Sequence, residues 1–299
     1  MITSEGLGKR IRTEREKQSL SRENLCRNGA NLTVRQLLRI EKGESIPSLD
    51  KLDYIARNLN VKVADLLEAD SIDIPEDYFR MKSRLIKFPT YGEKDRVEQK
   101  QELIEEAYEK YFSVLPEEEL LFLDLSENLL EWTQTGKIPH VEEMFEDAFE
   151  QAQKKKALNL NDLLVLGYYL VSIQRQKYYD QKLFAKIERR LLKQEATTDE
   201  LINIELLSTL MDLIGVRMLH DDYKGMLPII KQVHLLINTI QQPTYKPSIL
   251  MIEAKYYLHA ESDREKAEEL YEQAISLASI LGDPALSEGL QQEKSEDGL

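Results

Sequence analysis

The chain has 299 residues, 42% hydrophobic and 31% charged, which is typical of a globular protein of one to three domains. It has no run of about 18 apolar residues, and the N-terminus, MITSEGLGKRIRTER, lacks an apolar core, so we expect neither a membrane span nor a signal peptide. A single cysteine, Cys26, excludes an internal disulfide and is typical of a cytoplasmic protein.

The charge is unevenly distributed along the chain. The net charge is -14, yet residues 1–70 contain 13 basic and 11 acidic residues, which leaves 27 basic and 43 acidic residues in the remainder. A small basic-faced segment attracts polyanions, whereas an acidic one does not. We predict a head (residues 1–70), a linker with one helix (residues 71–95) and a body (residues 96–299).

The head has the pattern of five short helices. LGKRIRTEREKQ places Leu7 and Ile11 on one apolar stripe, and VKVADLL closes the bundle. Ser21 caps the second helix without a capping box, because Asn24 stands where glutamate or glutamine would complete one. The other predicted helix boundaries are Thr33, Gly43 and Ser48.

The third of these helices has two distinct faces. Leu37 and Ile40 share one face, and Arg35 and Arg39, four residues apart, share another. An exposed basic face on the second helix of a helix–turn–helix pair is the shape that enters a DNA major groove. Arginine can hold guanine O6 and N7 together, which is worth about 1–3 kcal/mol of base discrimination. Taken alone, two such arginines are more often solvated surface charge.

The whole pattern of LGKRIRTEREKQSLSRENLC, LTVRQLLRIEKGESIPSLDKLDYIA and LNVKVADLL resembles the Xre/Cro-type helix–turn–helix family. The resemblance implies that base edges are contacted by Arg35, Gln36 and Arg39. It implies phosphate-side contacts by Ser21, Arg22, Lys42, Ser48 and Lys51. The turn near Asn31 is about one residue longer than is usual in that family, so the resemblance predicts no particular base sequence.

The rest of the chain is predicted to be helical throughout. Pro75 opens a linker helix that runs to Lys87, and Pro89 ends it. Amphipathic segments then follow in pairs with a period of about 40 residues, the mark of a helical solenoid. The first helices of the pairs begin near Leu120, Asp162, Ile202 and Ser248. The last pair resembles the tetratricopeptide repeat, with Ala267, Tyr271, Ala274 and Ala278 at helical spacing. The predicted fold class is therefore all-α, a five-helix head followed by a tetratricopeptide-like solenoid.

Small and polar residues recur on the first helices of these pairs, which line the concave side of a solenoid. The small ones are Gly167, Ser172, Ser208, Gly215 and Ser248; the polar ones are Tyr168, Arg175, Glu205, Asp212 and Lys255. A groove of this kind would bury an extended peptide and bind its backbone. The alternative is that small residues only let the helices pack closely, and the spacing by itself favours that alternative.

The combination of both halves resembles the peptide-pheromone regulators of Gram-positive bacteria, the Rgg and PlcR group, and within it the ComR-type competence regulators. The segments MKSRLIKFPTYGEKDR, LPEEELL and YKPSILMIEAKYYL carry this likeness. The resemblance implies a transcription activator that binds a short imported peptide, dimerises and docks on a palindromic promoter. It also implies that Thr90 and Lys100 touch the peptide, where the lysine would pair with a carboxylate.

The acidic cluster Glu117, Glu118 and Glu119 suggests how such a protein is kept inactive. We hypothesise that one or more of these carboxylates holds the recognition helix while no peptide is bound, so that peptide binding must favour the released state by a few kcal/mol. The alternative is a solvated helix start, which also suits the helix dipole.

Three other functions compete with this interpretation of the sequence. An enzyme is disfavoured because the chain has no G-x-G-x-x-G, no G-x-x-x-x-G-K-[ST] and no H-E-x-x-H, and because its four histidines share no ligand spacing. No cofactor, metal or membrane partner is predicted. A helical-repeat scaffold that binds a protein partner, and a repressor in place of an activator, stay open alternatives.

Overall fold

The computed structural model describes residues 4–67, 74–90, 93–136 and 143–299. Every regular element in these ranges is helical, which confirms the all-α class. None of the helices in this part of the chain is long and apolar enough to cross a bilayer. The chain forms two compact units, the first made of residues 1–88 and 97–165, the second of residues 89–96 and 166–299.

Residues 4–67 form the five helices expected of the head. They are α1 Ser4–Lys17, α2 Arg22–Cys26, α3 Val34–Lys42, α4 Leu49–Asn58 and α5 Val63–Leu66. One apolar core joins them, and it includes Leu7, Ile11, Leu37 and Ile40, all at most 1% exposed. The face of α3 opposite this core is thereby left for other contacts.

The predicted helix caps are confirmed. Ser21 accepts a hydrogen bond from a backbone N–H of α2 with no capping box, and Ser48 does the same for α4. Thr33 caps α3, where Gln36 completes a capping box that the sequence reading had not included. Gly43 ends α3 with φ +76°, a left-handed conformation that glycine adopts without steric cost.

The first unit continues with helices from the linker and the body. They are α6 Glu76–Lys87, α7 Lys94–Tyr111, α8 Glu117–Thr135 and α9 Glu143–Lys154. As predicted, α6 begins directly after Pro75 and ends before Pro89. The predicted head–linker boundary near residue 70 lies outside the described residues.

The compact units do not coincide with the predicted domains. The head, α6 and residues 97–165 of the body belong to one unit, whereas the sequence pattern separates head and body at the linker. The reason is tertiary: α3 and α4 of the head form ion pairs and hydrogen bonds with α8 and α9, and periodicity along the chain carries no information about such contacts.

The second unit contains the remaining helical pairs, beginning within α10 Leu160–Gln174. Its other helices are α11 Gln181–Leu191, α12 Glu200–Leu219, α13 Leu227–Ile240, α14 Lys246–Tyr256, α15 Arg264–Ile280 and α16 Pro284–Glu296. A π-helical turn, Tyr257–Glu261, follows α14. The helices α8, α10, α12 and α14 begin within three residues of the predicted positions, which confirms the period of about 40 residues.

The predicted alanine–tyrosine stripe of the last pair forms a core. Ala267, Tyr271, Ala274 and Ala278 on α15 are all 0% exposed and pack with residues of α14 and α16. Lys255 on α14 also lies 2.9 Å from both Glu293 and Asp297, at the end of α16. Apolar packing and a half-buried ion cluster therefore hold the last helix against its neighbours.

Candidate functional site

The two arginines of α3 share a face but have different surroundings. Arg35 is exposed over 58% of its side chain, and its Nη1 lies 3.9 Å from carboxylate oxygens of Glu146 and Asp147. Arg39 is exposed over only 19%. The difference follows from position, because Arg39 lies one helical turn further along α3, where it meets the start of α8.

Arg39 is held by two carboxylates of the body. Its Nε and Nη2 donate to the two oxygens of Glu117 at 3.2 and 2.8 Å, and Nη2 also donates to Asp147 at 3.2 Å. Burial works against the charged forms, yet the bonds with Arg39 and the charge of Lys51 leave the pKa of Glu117 lowered. Burial also acts against the charge of Arg39, but its bonds with Glu117 and Asp147 leave the pKa of Arg39 raised. Bidentate, charge-assisted pairs of this kind are among the stronger polar contacts in proteins.

The pKa of Asp147 is shifted in the opposite direction to the pKa of Glu117. Burial raises the pKa of its carboxyl above the ordinary value, although Arg39, Arg35 and Thr33 act in the opposite direction. Its side chain is only 4% exposed. Asp147 is therefore a buried carboxylate of the body that lies beside both Arg35 and Arg39 of the head.

Gln36, the second predicted base-edge residue, is only 3% exposed. Gln151 on α9 donates from Nε2 to its Oε1 at 2.6 Å, and the same oxygen accepts the backbone N–H of Thr33 at 3.2 Å. The side-chain oxygen of Gln36 is thus used twice within the protein, once to cap α3 and once to bind the body.

Lys51, a predicted phosphate contact, is 5% exposed and lies 2.9 Å from Glu118. Burial alone would raise the pKa of the Glu118 carboxyl. The charge of Lys51 and the hydroxyl of Ser48 lower it by more, so the pKa of Glu118 is lowered overall. The caps and charges at the start of α4 are therefore also engaged by the body.

The other predicted phosphate-side residues lie elsewhere on the head. Arg22 donates from Nε to Glu41 at 2.8 Å, and Glu41 also accepts from Arg15. The hydroxyl of Ser21 caps α2, and Lys42 is 53% exposed beside Glu44. Of the predicted DNA-binding residues, Ser21, Arg35 and Lys42 are exposed.

We call Glu117, Glu118, Asp147 and Gln151 the head clamp. The first two belong to the predicted acidic cluster at the start of α8, whereas Asp147 and Gln151 on α9 were not predicted. Their spacing of four residues places them on one face of that helix, and this was the signal available in VEEMFEDAFEQAQKKK. An amphipathic helix does not reveal which polar residue on it is buried against another element.

Glu119 makes no contact of this kind with residues 4–67, the part of the head that the structure describes. Its two oxygens accept hydrogen bonds from the hydroxyl of Tyr78 and from Nζ of Lys82, both on α6. The three glutamates, proposed from sequence as one group, therefore have different partners.

In the second unit, glycines allow α10 and α12 to approach closely. A Cβ on Gly167 would lie 3.0 Å from Oδ2 of Asp212, and a Cβ on Gly215 would lie 2.7 Å from Nε2 of Gln174. Burial, followed by the charge of Glu205, raises the pKa of Asp212 well above its ordinary value. At these two glycines the contacts fit the packing alternative left open by the sequence.

The remaining predicted peptide contacts of the second unit differ in accessibility. Tyr168 is 1% exposed and lies in the core, and the hydroxyl of Ser172 donates to the carbonyl of Tyr169 at 2.7 Å. The exposed residues are Arg175 and Ser208, and the half-buried ones are Glu205, Asp212 and Ser248. Tyr168 therefore offers no surface for a ligand in this conformation.

Thr90 and Lys100 are both half-buried, each in its own unit. The carbonyl of Thr90 accepts the backbone N–H of Glu93 at 2.9 Å. Nζ of Lys100 lies 3.4 Å from the carbonyl of Phe88, a long contact to a neutral acceptor. Nearby, Arg96 forms an ion pair of 3.0 Å with Asp283, the N-cap of α16.

The head and the helical pairs each match a family model. The model described as ComR tetratricopeptide matches residues 75–294, and a helix–turn–helix model matches residues 11–66. The chain belongs to the ComR family. Among curated protein sequences, none matches the chain.

Solved structures of the family are similar over the full chain. The apo form of the competence regulator ComR from Streptococcus vestibularis is 49% identical, with all of both chains covered and a TM-score of 0.90. The regulator from the same species in complex with its signalling peptide XIP is 50% identical, again with all of both chains covered, with a TM-score of 0.71. ComR from S. thermophilus in complex with DNA and its signalling peptide ComS is 48% identical, covering 98% of this chain and all of that one, with a TM-score of 0.72.

Proposed function

We propose that this protein is a peptide-responsive transcription regulator of competence genes, inactive until a short imported peptide binds the helical repeats. The observation that carries the proposal is the bidentate pair between Arg39 and Glu117, reinforced by Asp147. An arginine whose guanidinium donates two hydrogen bonds to a carboxylate of the body cannot make a bidentate contact with guanine at the same time.

The head clamp acts on more than one part of the DNA-binding surface. Gln151 is hydrogen-bonded to Gln36 of the base-edge group, and Glu118 forms an ion pair with Lys51 of the phosphate group. After release we assign base-edge contacts to Arg35, Gln36 and Arg39. The phosphate-side contacts we assign to Ser21, Arg22, Lys42, Ser48 and Lys51.

The relatives support the peptide as the releasing ligand, because structures of ComR proteins contain a signalling peptide, in one case together with DNA. The structure described here has a higher TM-score with the apo form than with either complex. We therefore interpret the clamped head as the peptide-free state.

For the peptide we retain the predicted contacts, with the exposed and half-buried residues as the first to test. They are Thr90, Lys100, Ser172, Arg175, Glu205, Ser208, Asp212 and Ser248; Tyr168 would take part only after a change of packing. To convert a clamped population of 99% into a released one of 99%, the peptide must bind the released state better by about 5.5 kcal/mol. Released heads would then bind a palindromic promoter as a homodimer.

The test is a titration of the full-length protein with synthetic peptides while its binding to fluorescent duplex DNA is followed by anisotropy. The duplexes are first selected from a random library in the presence of peptide. We expect sequence-specific binding with the cognate peptide and none with a scrambled peptide of equal composition. DNA binding that is indifferent to every peptide, or absent for every duplex at low ionic strength, would favour the scaffold alternative.

A further inference from the structure

The first turn of α8 directs three consecutive carboxylates to three different helices. Successive residues of an α-helix are rotated by about 100°, so neighbours cannot share a partner easily. Glu117 binds Arg39 on α3, and Glu118 pairs with Lys51 on α4. Glu119 binds α6 instead. The first two partners belong to the head and the third does not.

The contacts of Glu119 are partly buried, and two side chains share its two oxygens. Its Oε2 accepts hydrogen bonds from the hydroxyl of Tyr78 and from Nζ of Lys82, both at 2.7 Å, and its Oε1 lies 2.9 Å from the same Nζ. Tyr78 is 0% exposed and Lys82 6%. Burial together with the adjacent Glu119 raises the pKa of the Tyr78 hydroxyl, which therefore stays protonated and donates.

Aromatic contacts hold the same two residues from other directions. Nζ of Lys82 lies 4.7 Å from the ring centre of Phe122, one turn further along α8. The ring of Tyr78 packs edge to face on Tyr111 of α7, with 5.5 Å between the ring centres. A charge pair bound by several partners in a packed site has one favourable geometry. The relative position of α6 and the start of α8 is therefore well determined.

We propose that Glu119, Tyr78 and Lys82 form a positioning cluster for the head clamp. It orients the first turn of α8 so that Glu117 and Glu118 reach α3 and α4, and it makes the strength of the clamp depend on the position of α6. This inference rests on the proposed function. In the chain, α6 stands between the head and residues 89–96, which include the predicted peptide contact Thr90.

The decisive variant is Lys82→Met, which removes the charge and keeps an unbranched apolar side chain. We expect it to tighten peptide-free DNA binding by about 2- to 30-fold, the range found for residues that modulate coupling without touching a ligand. At saturating peptide it should bind DNA like the wild type, because Lys82 touches no DNA-binding residue. The matched control is Arg80→Met on the same helix, whose partners Glu76 and Asp77 are exposed residues of α6 itself.

A double-mutant cycle separates positioning from general destabilisation. If Lys82 acts through Glu117 and Glu118, Lys82→Met adds no further DNA binding to a variant that carries both Glu117→Gln and Glu118→Gln, since the effects of coupled residues do not add. Additive effects, or a folded Lys82→Met that needs peptide as the wild type does, would overturn the proposal. Tyr78→Phe, which deletes one hydroxyl, replaces Lys82→Met if that variant fails to fold.

The two proposals fail in different ways. A wild-type protein whose DNA binding ignores peptide refutes the proposed function. If the wild type responds to peptide and Lys82→Met binds DNA without peptide no better than the wild type, only the positioning cluster is refuted.

Discussion

At the scale of single residues, Arg35 and Arg39 have different surroundings although their positions on α3 are equivalent in the sequence pattern. Both lie on the polar face of α3, yet Arg39 is bound by Glu117 and Asp147, while Arg35 is largely exposed. Under the proposed function Arg39 would take part in inhibition in the clamped state, whereas Arg35 stays accessible to solvent. The side chains of Glu117 and Asp147 are mostly buried, so loss of Arg39 would leave two carboxylates without their cation, and Arg39 is the more sensitive of the two.

Reversing the charge of the principal carboxylate should release the head. Glu117→Lys places a cation beside Arg39 and Lys51, and we expect promoter DNA to be bound without peptide. Gel-shift or anisotropy titration measures this, and Glu131→Lys, an exposed position on the same helix, is the control. If Glu117→Lys stays peptide-dependent, and the Glu118 and Glu119 reversals do too, the head is held by other contacts.

Cys26 should be chemically inert in the folded protein. Burial raises the pKa of its thiol to about 12, and only the thiolate attacks disulfide reagents. At pH 8 the thiolate fraction is then lower than that of a free cysteine by roughly a thousandfold. Labelling by a chromogenic disulfide should be slow at pH 8 and speed up as pH rises or denaturant is added. Fast labelling of the native protein at pH 8 would show that the thiol is not held in the core.

At the scale of elements, the head depends on a close approach between α1 and α3. A Cβ on Gly8 would lie 2.1 Å from the carbonyl oxygen of Ile40, so only glycine fits there. This approach brings α3 against the core with its polar face outward. The periodicity of α1 marks Leu7 and Ile11 as core residues, but it does not show that the small residue between them is a contact point.

Gly8→Ala should therefore destabilise the head although alanine favours helices. Overpacking of a well-filled core costs about 1–3 kcal/mol, and here the obstacle is backbone, which moves least easily. Thermal unfolding measures the effect. Gly289→Ala on α16 is the control, because its Cβ would meet nothing within 4 Å, and it should stabilise by about 0.5–1 kcal/mol. Equal unfolding temperatures for the two variants would contradict the close approach.

At the scale of the whole molecule, DNA reading and peptide sensing are assigned to different parts of the chain. The head is small and basic-faced, and the remainder is acidic. That asymmetry supplies the clamp with its carboxylates, and under the proposed function the acidic body would be repelled by the phosphate backbone. Under the proposed function one charge distribution thus serves both the inactive and the active state.

Arg35→Ala should separate the two activities. We expect the loss of promoter-specific binding at saturating peptide, because a base-edge contact worth about 1–3 kcal/mol is removed, with peptide affinity unchanged. Isothermal titration with peptide and anisotropy with DNA measure the two affinities, and the DNA affinity of the wild type should fall steeply with added salt. A loss of both activities would indicate misfolding.

The sequence pattern predicted the helices better than it predicted the site. Caps such as Thr33 and Gly43 and the repeat starts are local features, and the structure reproduces them. The glutamates at the start of α8 were recognised as a group because they are consecutive. Asp147 and Gln151 were missed, since burial of a polar residue depends on which other helix meets it.

By itself the sequence determined the all-α class, the head, the repeat period and the charge asymmetry, because each depends on residues close together in the chain. The tertiary structure alone decided that head and residues 97–165 form one compact unit, and which carboxylate faces which cation. Arg39 and Glu117 are 78 residues apart, and Arg39 and Asp147 are 108 apart. Contacts over such distances result from how helices pack, and no local pattern specifies that packing.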